Sequence, residues 1–286
     1  MIFYPNCKIN LGLRVVRKRE DGYHDLETIF VPVYGLHDEL EVEKSTNRCS
    51  DRIQSPDPIT FVQEGIAVDC KAEDNLIVKC YRNMAAKYPQ IGPVTIRFKK
   101  NIPFGAGLGG GSSDASHMAI ALNELFALGL TKEELAQEVK PLGADCPFFI
   151  YNTPCYAEGI GDKLTPINLD LKGVRIVLVK PDEGVSTKEA YSGIVLHPEA
   201  SGHVFKGEYI NDFEATVFPK HPIIADIKKR LLDAGAYYAS MSGSGSTVFG
   251  FFKDDAEGRT DARLALLKKE FASMVLLDDT FGEWKS

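Results

Sequence analysis

Between Pro103 and Ser116 the chain reads Pro-Phe-Gly-Ala-Gly-Leu-Gly-Gly-Gly-Ser-Ser-Asp-Ala-Ser, so five glycines fall within seven residues and two hydroxyls follow at once. Glycine loses the most backbone entropy on folding, so such a run weakens a fold unless bare backbone is needed there. Before it, Val94, Ile96 and Phe98 alternate with Thr95, Arg97 and Lys99, which predicts a strand. After it, Ala115, Met118, Ala119, Leu122, Leu125 and Phe126 recur at helical spacing, with Gly129 as the stop. Strand, glycine loop and helix N-terminus together form an anion cradle: free N–H groups converge on a phosphate and the helix dipole favours its charge. A flexible surface linker is the alternative, but linkers rarely join so patterned a strand and helix.

At 286 residues the chain has room for two modest domains or one large one. A net charge of −7 argues against a nucleic-acid partner, which would need clustered Lys and Arg. The N-terminus lacks the apolar stretch of a signal peptide, and no apolar run approaches a membrane span. Cys7, Cys49, Cys70, Cys80, Cys146 and Cys155 lie scattered without a Cys-x-x-Cys pair, as expected of buried thiols in a reducing, cytoplasmic setting.

Residues 7 to 15 alternate with period two, placing Cys7, Ile9, Leu11, Leu13 and Val15 on one face and Lys8, Asn10, Gly12 and Arg14 on the other. That second face reads either as a solvated strand face or as a site presenting Lys8 and Asn10 side by side. A charged turn ending Asp21-Gly22 leads to Tyr23-His24 and a second strand. From Glu39 to Val68 short strands flank a polar loop, Arg48 to Pro58. Asp74 is the expected cap of a helix carrying Leu76, Ile77, Cys80, Tyr81 and Met84. Thr131-Lys-Glu-Glu134 has the form of a capping box, and its helix stops at Pro141. Asp145 then stands alone in Leu142-Gly-Ala-Asp-Cys-Pro-Phe-Phe-Ile150, at a turn expected to enter a buried strand. It fits a backbone-bonding turn residue and a poised carboxylate equally well. Beyond a boundary near Asn168 the predicted order is β-α-β-β-α-β, an antiparallel sheet with two helices, and Ser242-Gly-Ser-Gly-Ser246 forms a hairpin tip.

Other glycine-loop folds fit poorly. A dinucleotide fold expects an acidic residue about twenty positions on at a strand end, which here falls at Glu124 inside the helix. A Walker loop needs Gly-Lys-Ser/Thr, and the protein-kinase elements are missing. The pattern resembles instead the GHMP kinases, the family of galactose, homoserine, mevalonate and phosphomevalonate kinases. Pro103-Phe-Gly-Ala-Gly-Leu-Gly-Gly-Gly-Ser-Ser113 matches their central motif. Lys8-Ile-Asn10, Asp21-Gly-Tyr-His24, Asp74-Asn75, Leu142-Gly-Ala-Asp145-x-Pro, Gly184-Val-Ser, Asn211-Asp and Ser242-Gly-Ser-Gly occur in the order of its branch acting on a cytidyl-diphosphate ester of a branched polyol in non-mevalonate isoprenoid synthesis.

The resemblance implies an α+β fold of two domains. Residues 1–168 would form an ATP-binding domain like domain 2 of ribosomal protein S5, and 169–286 a ferredoxin-like domain. It implies ATP with Mg²⁺ and no dedicated protein metal site; the charge and hydropathy above leave no nucleic-acid or membrane partner expected, and a monomer or weak homodimer is expected. Asp145 would accept or polarise the proton of the attacking hydroxyl, with Lys8 holding it ionised and compensating charge on the transferring group. The nucleotide would lie on Pro103, Gly105, Ala106, Gly107, Leu108, Gly109, Gly110, Gly111, Ser112 and Ser113, with Asn75 and Lys100 on the adenine side and Ser112 or Ser113 near Mg²⁺. Substrate contacts would come from Asn10, Tyr23, His24, Thr187, Tyr191, Gly243 and Ser244. Two alternatives remain open: a kinase of the same family acting on another small molecule, and a nucleotide-responsive binding protein without turnover.

Overall fold

In the computed structural model, which describes residues 1–45, 58–67, 71–198, 202, 204, 206–253 and 259–282, alternation in sequence becomes alternation in burial wherever one face of a sheet is covered. The chain runs through β1 (Ile2–Phe3), β2 (Asn6–Lys18), β3 (His24–His37), β4 (Glu39–Lys44), β5 (Ile59–Gly65), α1 (Leu76–Lys87), β6 (Val94–Lys100), α2 (Gly110–Leu125), α3 (Lys132–Val139) and α4 (Cys146–Tyr151). It continues through β7 (Cys155–Glu158), β8 (Lys163–Pro166), β9 (Arg175–Val179), α5 (Thr187–Tyr191), α6 (Glu214–Val217), α7 (Pro222–Asp233), β10 (Tyr238–Met241), β11 (Val248–Phe252), α8 (Arg259–Glu270) and β12 (Val275–Thr280).

Contacts sort these elements into two units that interleave along the sequence. The first holds residues 1–7, 37–104 and 109–152, and the second holds 8–36, 105–108 and 153–286. A single cut at 168 therefore does not describe the packing, because β2 and most of β3 pair with β7 and β8 in a sheet of order β2-β3-β7-β8.

In the first unit the sheet order is β1-β4-β6-β5, with β5 parallel to β6 and the other pairs antiparallel. Leu40, Val42, Ile96 and Phe98 from the sheet pack with Ile77, Met84, Met118 and Leu122 from the helices. The capping box forms as expected, Thr131 and Glu134 each bonding the other's backbone. The helix after residue 75 is capped by Asn75, whose Oδ1 accepts from Ile77 N at 2.9 Å; Asp74 instead ends the preceding 3-10 turn and pairs with Lys79. The segment after Asp145 is the helix α4 and not a strand. Pro147 suits a first helical turn, where no N–H partner is lost, and burial of Phe148, Phe149 and Ile150 needs no alternation. The helix after the glycine run ends at Leu125, short of Gly129.

In the second unit the β-α-β-β-α-β order holds, with short α5 and α6 inserted. β9 to β12 form an antiparallel sheet of order β10-β11-β9-β12. Val177, Val179, Met241, Val248 and Phe252 face Ile224, Ile227 and Leu231 of α7 and Leu264 and Leu267 of α8.

Cys7, Cys80, Cys146 and Cys155 are buried free thiols, and burial pushes the Cys146 thiol up to about 12. Cys49, Cys70 and most of the Arg48 to Pro58 loop lie outside the described residues. Among the described residues no helix is long and apolar enough to cross a membrane.

Candidate active site

β2 carries Lys8 and Asn10, and neither lies on a solvated face: they are 4% and 2% exposed. The strand is buried on both sides, so the bland reading of its polar row fails. The Lys8 ammonium donates to Asn10 Oδ1 at 2.5 Å and stands 4.7 Å from the centre of the Phe30 ring. Asn10 Nδ2 in turn donates to Thr28 Oγ1 at 3.0 Å, and Thr28 Oγ1 donates to Gly12 O. A buried ammonium fixed by an amide and an aromatic face is aimed, not tethered by solvent.

Residues Gly105 to Leu108 are fastened to that strand and to the 242–246 hairpin tip. Lys8 N donates to Leu108 O at 3.0 Å, Thr247 N to Ala106 O at 3.2 Å, and Ser242 Oγ to Gly107 O at 2.8 Å. Ser242 Oγ also accepts from Asn10 N at 3.3 Å. The approach at Gly107 is so close that a Cβ there would stand 2.0 Å from Ser242 O, and its φ of +72° is a left-handed value as well. Gly243 sits against the same place: a Cβ on it would come 3.4 Å from Asn10 Oδ1 and 3.3 Å from Gly107 O.

Asn211, which sequence reasoning left without a role, organises the hairpin tip. Its Nδ2 donates to Met241 O at 2.7 Å and to Gly243 O at 2.9 Å, and its backbone bridges Leu13 of β2. Asp212 accepts from Val15 N at 2.7 Å. The Asn211-Asp212 pair just ahead of Phe213-Glu214 was the available signal.

His24 and Tyr191 stack, with ring centres 4.6 Å apart, and Tyr191 meets Phe213 edge-on at 4.8 Å. Burial, with Lys18 adding a little, lowers the His24 pKa from its ordinary value. Tyr23 beside it is 62% exposed. Thr187 opens α5, which Ser186 caps through Glu189 N at 3.1 Å.

The glycine run continues in the first unit as the start of α2. Gly109, at φ +70°, occupies the cap position and no side chain caps this helix, so its first-turn N–H groups have no capping side chain to bond. A Cβ on Gly111 would lie 3.6 Å from Leu76, next to the Asn75 cap of α1. A Cβ on Gly143 would lie 3.5 Å from Ser112 Oγ and 3.3 Å from Cys146 Sγ, so the loop carrying Asp145 lies against the first turn of α2. Ser116 reinforces this by donating to Cys146 O at 2.7 Å. Asp145 precedes α4 and does not cap it with its side chain. Ser113 is buried, with Oγ 3.3 Å from His117 Nδ1, whereas Ser112 is partly exposed. Burial lowers the His117 pKa and so favours the neutral ring.

Lys100 is 2% exposed, and its ammonium donates to Asp38 at 2.6 Å and Asp114 at 2.7 Å. Burial opposes its charge, but Asp114 and then Asp38 outweigh it and hold the pKa above the ordinary value. Burial pushes the Asp114 carboxyl well up, with Lys100 opposing and Asp38 adding. The expected adenine-side cation is thus spent within the protein. Its burial was legible, since Lys100 falls in phase with Val94, Ile96 and Phe98.

Among the described residues no group of three or more His, Cys, Asp or Glu could hold a metal.

The profile of the GHMP kinase N-terminal domain matches residues 75–153, and that of the GHMP kinase C-terminal domain matches residues 204–263. The chain is 47% identical over 263 residues to a 4-diphosphocytidyl-2-C-methyl-D-erythritol kinase of Azobacteroides pseudotrichonymphae, covering 88% of this chain and 94% of that one. An enzyme of the same name from Thermodesulfovibrio yellowstonii is 37% identical, with 91% of each chain covered. A crystal structure of a 4-(cytidine 5'-diphospho)-2C-methyl-D-erythritol kinase superposes with a TM-score of 0.73 at 32% identity, covering 93% of this chain and 96% of the other. A homoserine kinase from Cytophaga hutchinsonii shares the fold at a TM-score of 0.67 and 17% identity, covering 98% of this chain and 92% of its own. With the cradle, the buried lysine and the lone aspartate on the same chain, this likeness is one of family: the chain belongs to the 4-diphosphocytidyl-2-C-methyl-D-erythritol kinases, within the GHMP kinases.

Proposed function

We propose that the protein transfers the γ-phosphoryl group of ATP to the 2-hydroxyl of 4-diphosphocytidyl-2-C-methyl-D-erythritol, a step of non-mevalonate isoprenoid synthesis. The observation that carries this reading is Lys8, whose backbone N–H holds Leu108 of the glycine run while its ammonium is aimed by Asn10 and Phe30. One residue thus links the phosphate cradle to the charge that phosphoryl transfer requires.

The first-turn N–H groups of α2 and the backbone from Gly105 to Gly111 would bind the β- and γ-phosphates. The acceptor oxygen forms a bond to the γ-phosphorus, the bond to the β-phosphate oxygen breaks, and ADP leaves with that electron pair. The hydroxyl proton passes to Asp145, and Lys8 offsets negative charge on the transferring group. Mg²⁺, held by phosphate oxygens and water with Ser112 contributing a hydroxyl, would neutralise charge on the phosphates. Ser113 is the poorer candidate, since its hydroxyl is buried against His117. The cytidine base would meet Tyr23 and the His24–Tyr191 stack, and the diphosphate the Gly243–Ser244 tip and Thr187. Asn75, spent as the cap of α1, would act on the adenine side through its backbone and neighbours. Four buried free thiols suit a cytoplasmic enzyme.

The test is ADP release measured with the cytidyl substrate against homoserine, mevalonate and phosphomevalonate. Turnover with the cytidyl substrate at least about 100-fold above the others is expected, a ratio within reach of sites that hydrogen-bond their substrate. Equal or higher turnover with another acceptor would replace the substrate, and ATP binding without any turnover would reduce the protein to a nucleotide-responsive binder.

A further inference from the structure

We infer that Lys100 and Asp114, with Asp38, are positioning residues that set the gap between the end of β6 and the start of α2, and so the width of the phosphate cradle. The inference rests on the nucleotide reading above. Asp38 Oδ1 accepts from Asn101 N at 2.6 Å and from Ile102 N at 2.8 Å, which fixes the backbone entering the glycine run. Its other oxygen takes the Lys100 ammonium, which reaches across to Asp114 Oδ2 on the second turn of α2. The chain Asp38–Lys100–Asp114 therefore grips both ends of the loop.

Four further contacts tie this grip to the cradle and not to the sheet alone. A Cβ on Gly110, the first residue of α2, would stand 3.0 Å from Lys100 Nζ and 2.8 Å from Ile102 Cγ2, so the ammonium sits directly beneath the turn that offers its N–H groups. The rings of Phe98 and Phe104 lie 5.5 and 5.8 Å from the same nitrogen, one from the strand and one from the loop. A buried ion network of this kind gives little net stability but holds one geometry, because each alternative strands a charge. The ammonium, 2% exposed and engaged by two carboxylates, is not placed to meet the nucleotide itself.

The experiment is a double-mutant cycle, Asp114→Ala, Lys100→Met and the pair, read as the Kd for Mg·AMPPNP by calorimetry beside melting curves. Each single change is expected to weaken binding about tenfold while the protein stays folded at the assay temperature. The pair is expected to be within about threefold of the weaker single, because both cut one link. Additive losses, with Lys100→Met far the worse, would mean that the ammonium touches the nucleotide and would overturn the inference. So would a folded Asp114→Ala that binds as tightly as the wild type. If Lys100→Met does not fold, Asp114→Ala alone decides: tenfold weakening supports the positioning role, and an unaltered Kd removes it. A wild-type protein with no affinity for Mg·AMPPNP would overturn the nucleotide reading and this one with it, a result distinct from failure of the cycle alone.

Discussion

His24 and Tyr191, far apart in sequence, stack with ring centres 4.6 Å apart and planes inclined by 20°. Tyr191 is also pinned edge-on by Phe213, so the pair is held from behind by the core of the second unit. Offset aromatic pairs contribute about 1 kcal/mol beyond their buried area. Tyr191→Ala is therefore expected to raise KM for the cytidyl substrate about fivefold or more, with a smaller change in kcat, and Tyr191→Phe to stay near the wild type. Steady-state kinetics on the three proteins checks this, and an unchanged KM in Tyr191→Ala would take the stack out of substrate binding.

The two glycines Gly105 and Gly107 should respond differently to the same methyl group. Both have left-handed φ, so an alanine costs roughly 1–2 kcal/mol of backbone strain at either. At Gly105 nothing lies within 4 Å of the added carbon, whereas at Gly107 it would meet Ser242 O at 2.0 Å. Gly107→Ala should lower the melting temperature further than Gly105→Ala and weaken Mg·AMPPNP by well over tenfold. Equal effects of the two would mean that the Gly107–Ser242 fastening gives no shape to the loop.

Asp145→Asn should reduce kcat by about 100-fold or more, the size commonly lost with a general base, while nucleotide affinity stays within about threefold. Lys8→Ala should be comparably damaging. Pre-steady-state phosphoryl transfer is the measurement. Turnover at the wild-type rate in Asp145→Asn would leave the proton to another group, and a Lys8→Ala that altered only the melting temperature would return Lys8 to a packing role.

His221 makes a pH-dependent clasp on the segment that carries Thr187 and Tyr191. Its Nδ1 lies 2.8 Å from Glu183 and its Nε2 3.2 Å from Glu189, and these carboxylates, Glu183 first, raise its pKa above the ordinary value. A raised histidine favours the protonated folded state, so its stabilisation is fully present below about pH 6.5 and lost as pH rises through the folded pKa. Melting curves of the wild type and His221→Gln should accordingly differ most near about pH 5.5 and converge near about pH 8.5. A gap that widened with rising pH would contradict the clasp.

Much of this was legible in sequence because the fold repeats local rules. The capping box at Thr131, the β9-to-β12 order and the hairpin about Ser242 follow from propensity and period. Period also placed Lys8 opposite Ile9, but it does not count how many layers cover a strand, and here both faces are buried. The α4 helix escaped because a fully buried run of Pro-Phe-Phe-Ile has the same texture as a buried strand. Asp74 and Asn75 are equally good caps on paper, and one residue of register decided between them. For Lys100 the family resemblance points to the adenine side, whereas its phase with Phe98 already puts it inside. The interleaved units escaped altogether, since strand pairing between residues far apart leaves no local mark.

The fasteners of the glycine run also bear on how the protein is made. Ala106 and Gly107 are bound by Thr247 and Ser242, the latter 135 positions downstream. Synthesis delivers the N-terminal end first, so the run leaves the ribosome long before either partner has been translated. The Ala106–Gly107 part of the run can therefore take its final shape only on a chain that is nearly finished.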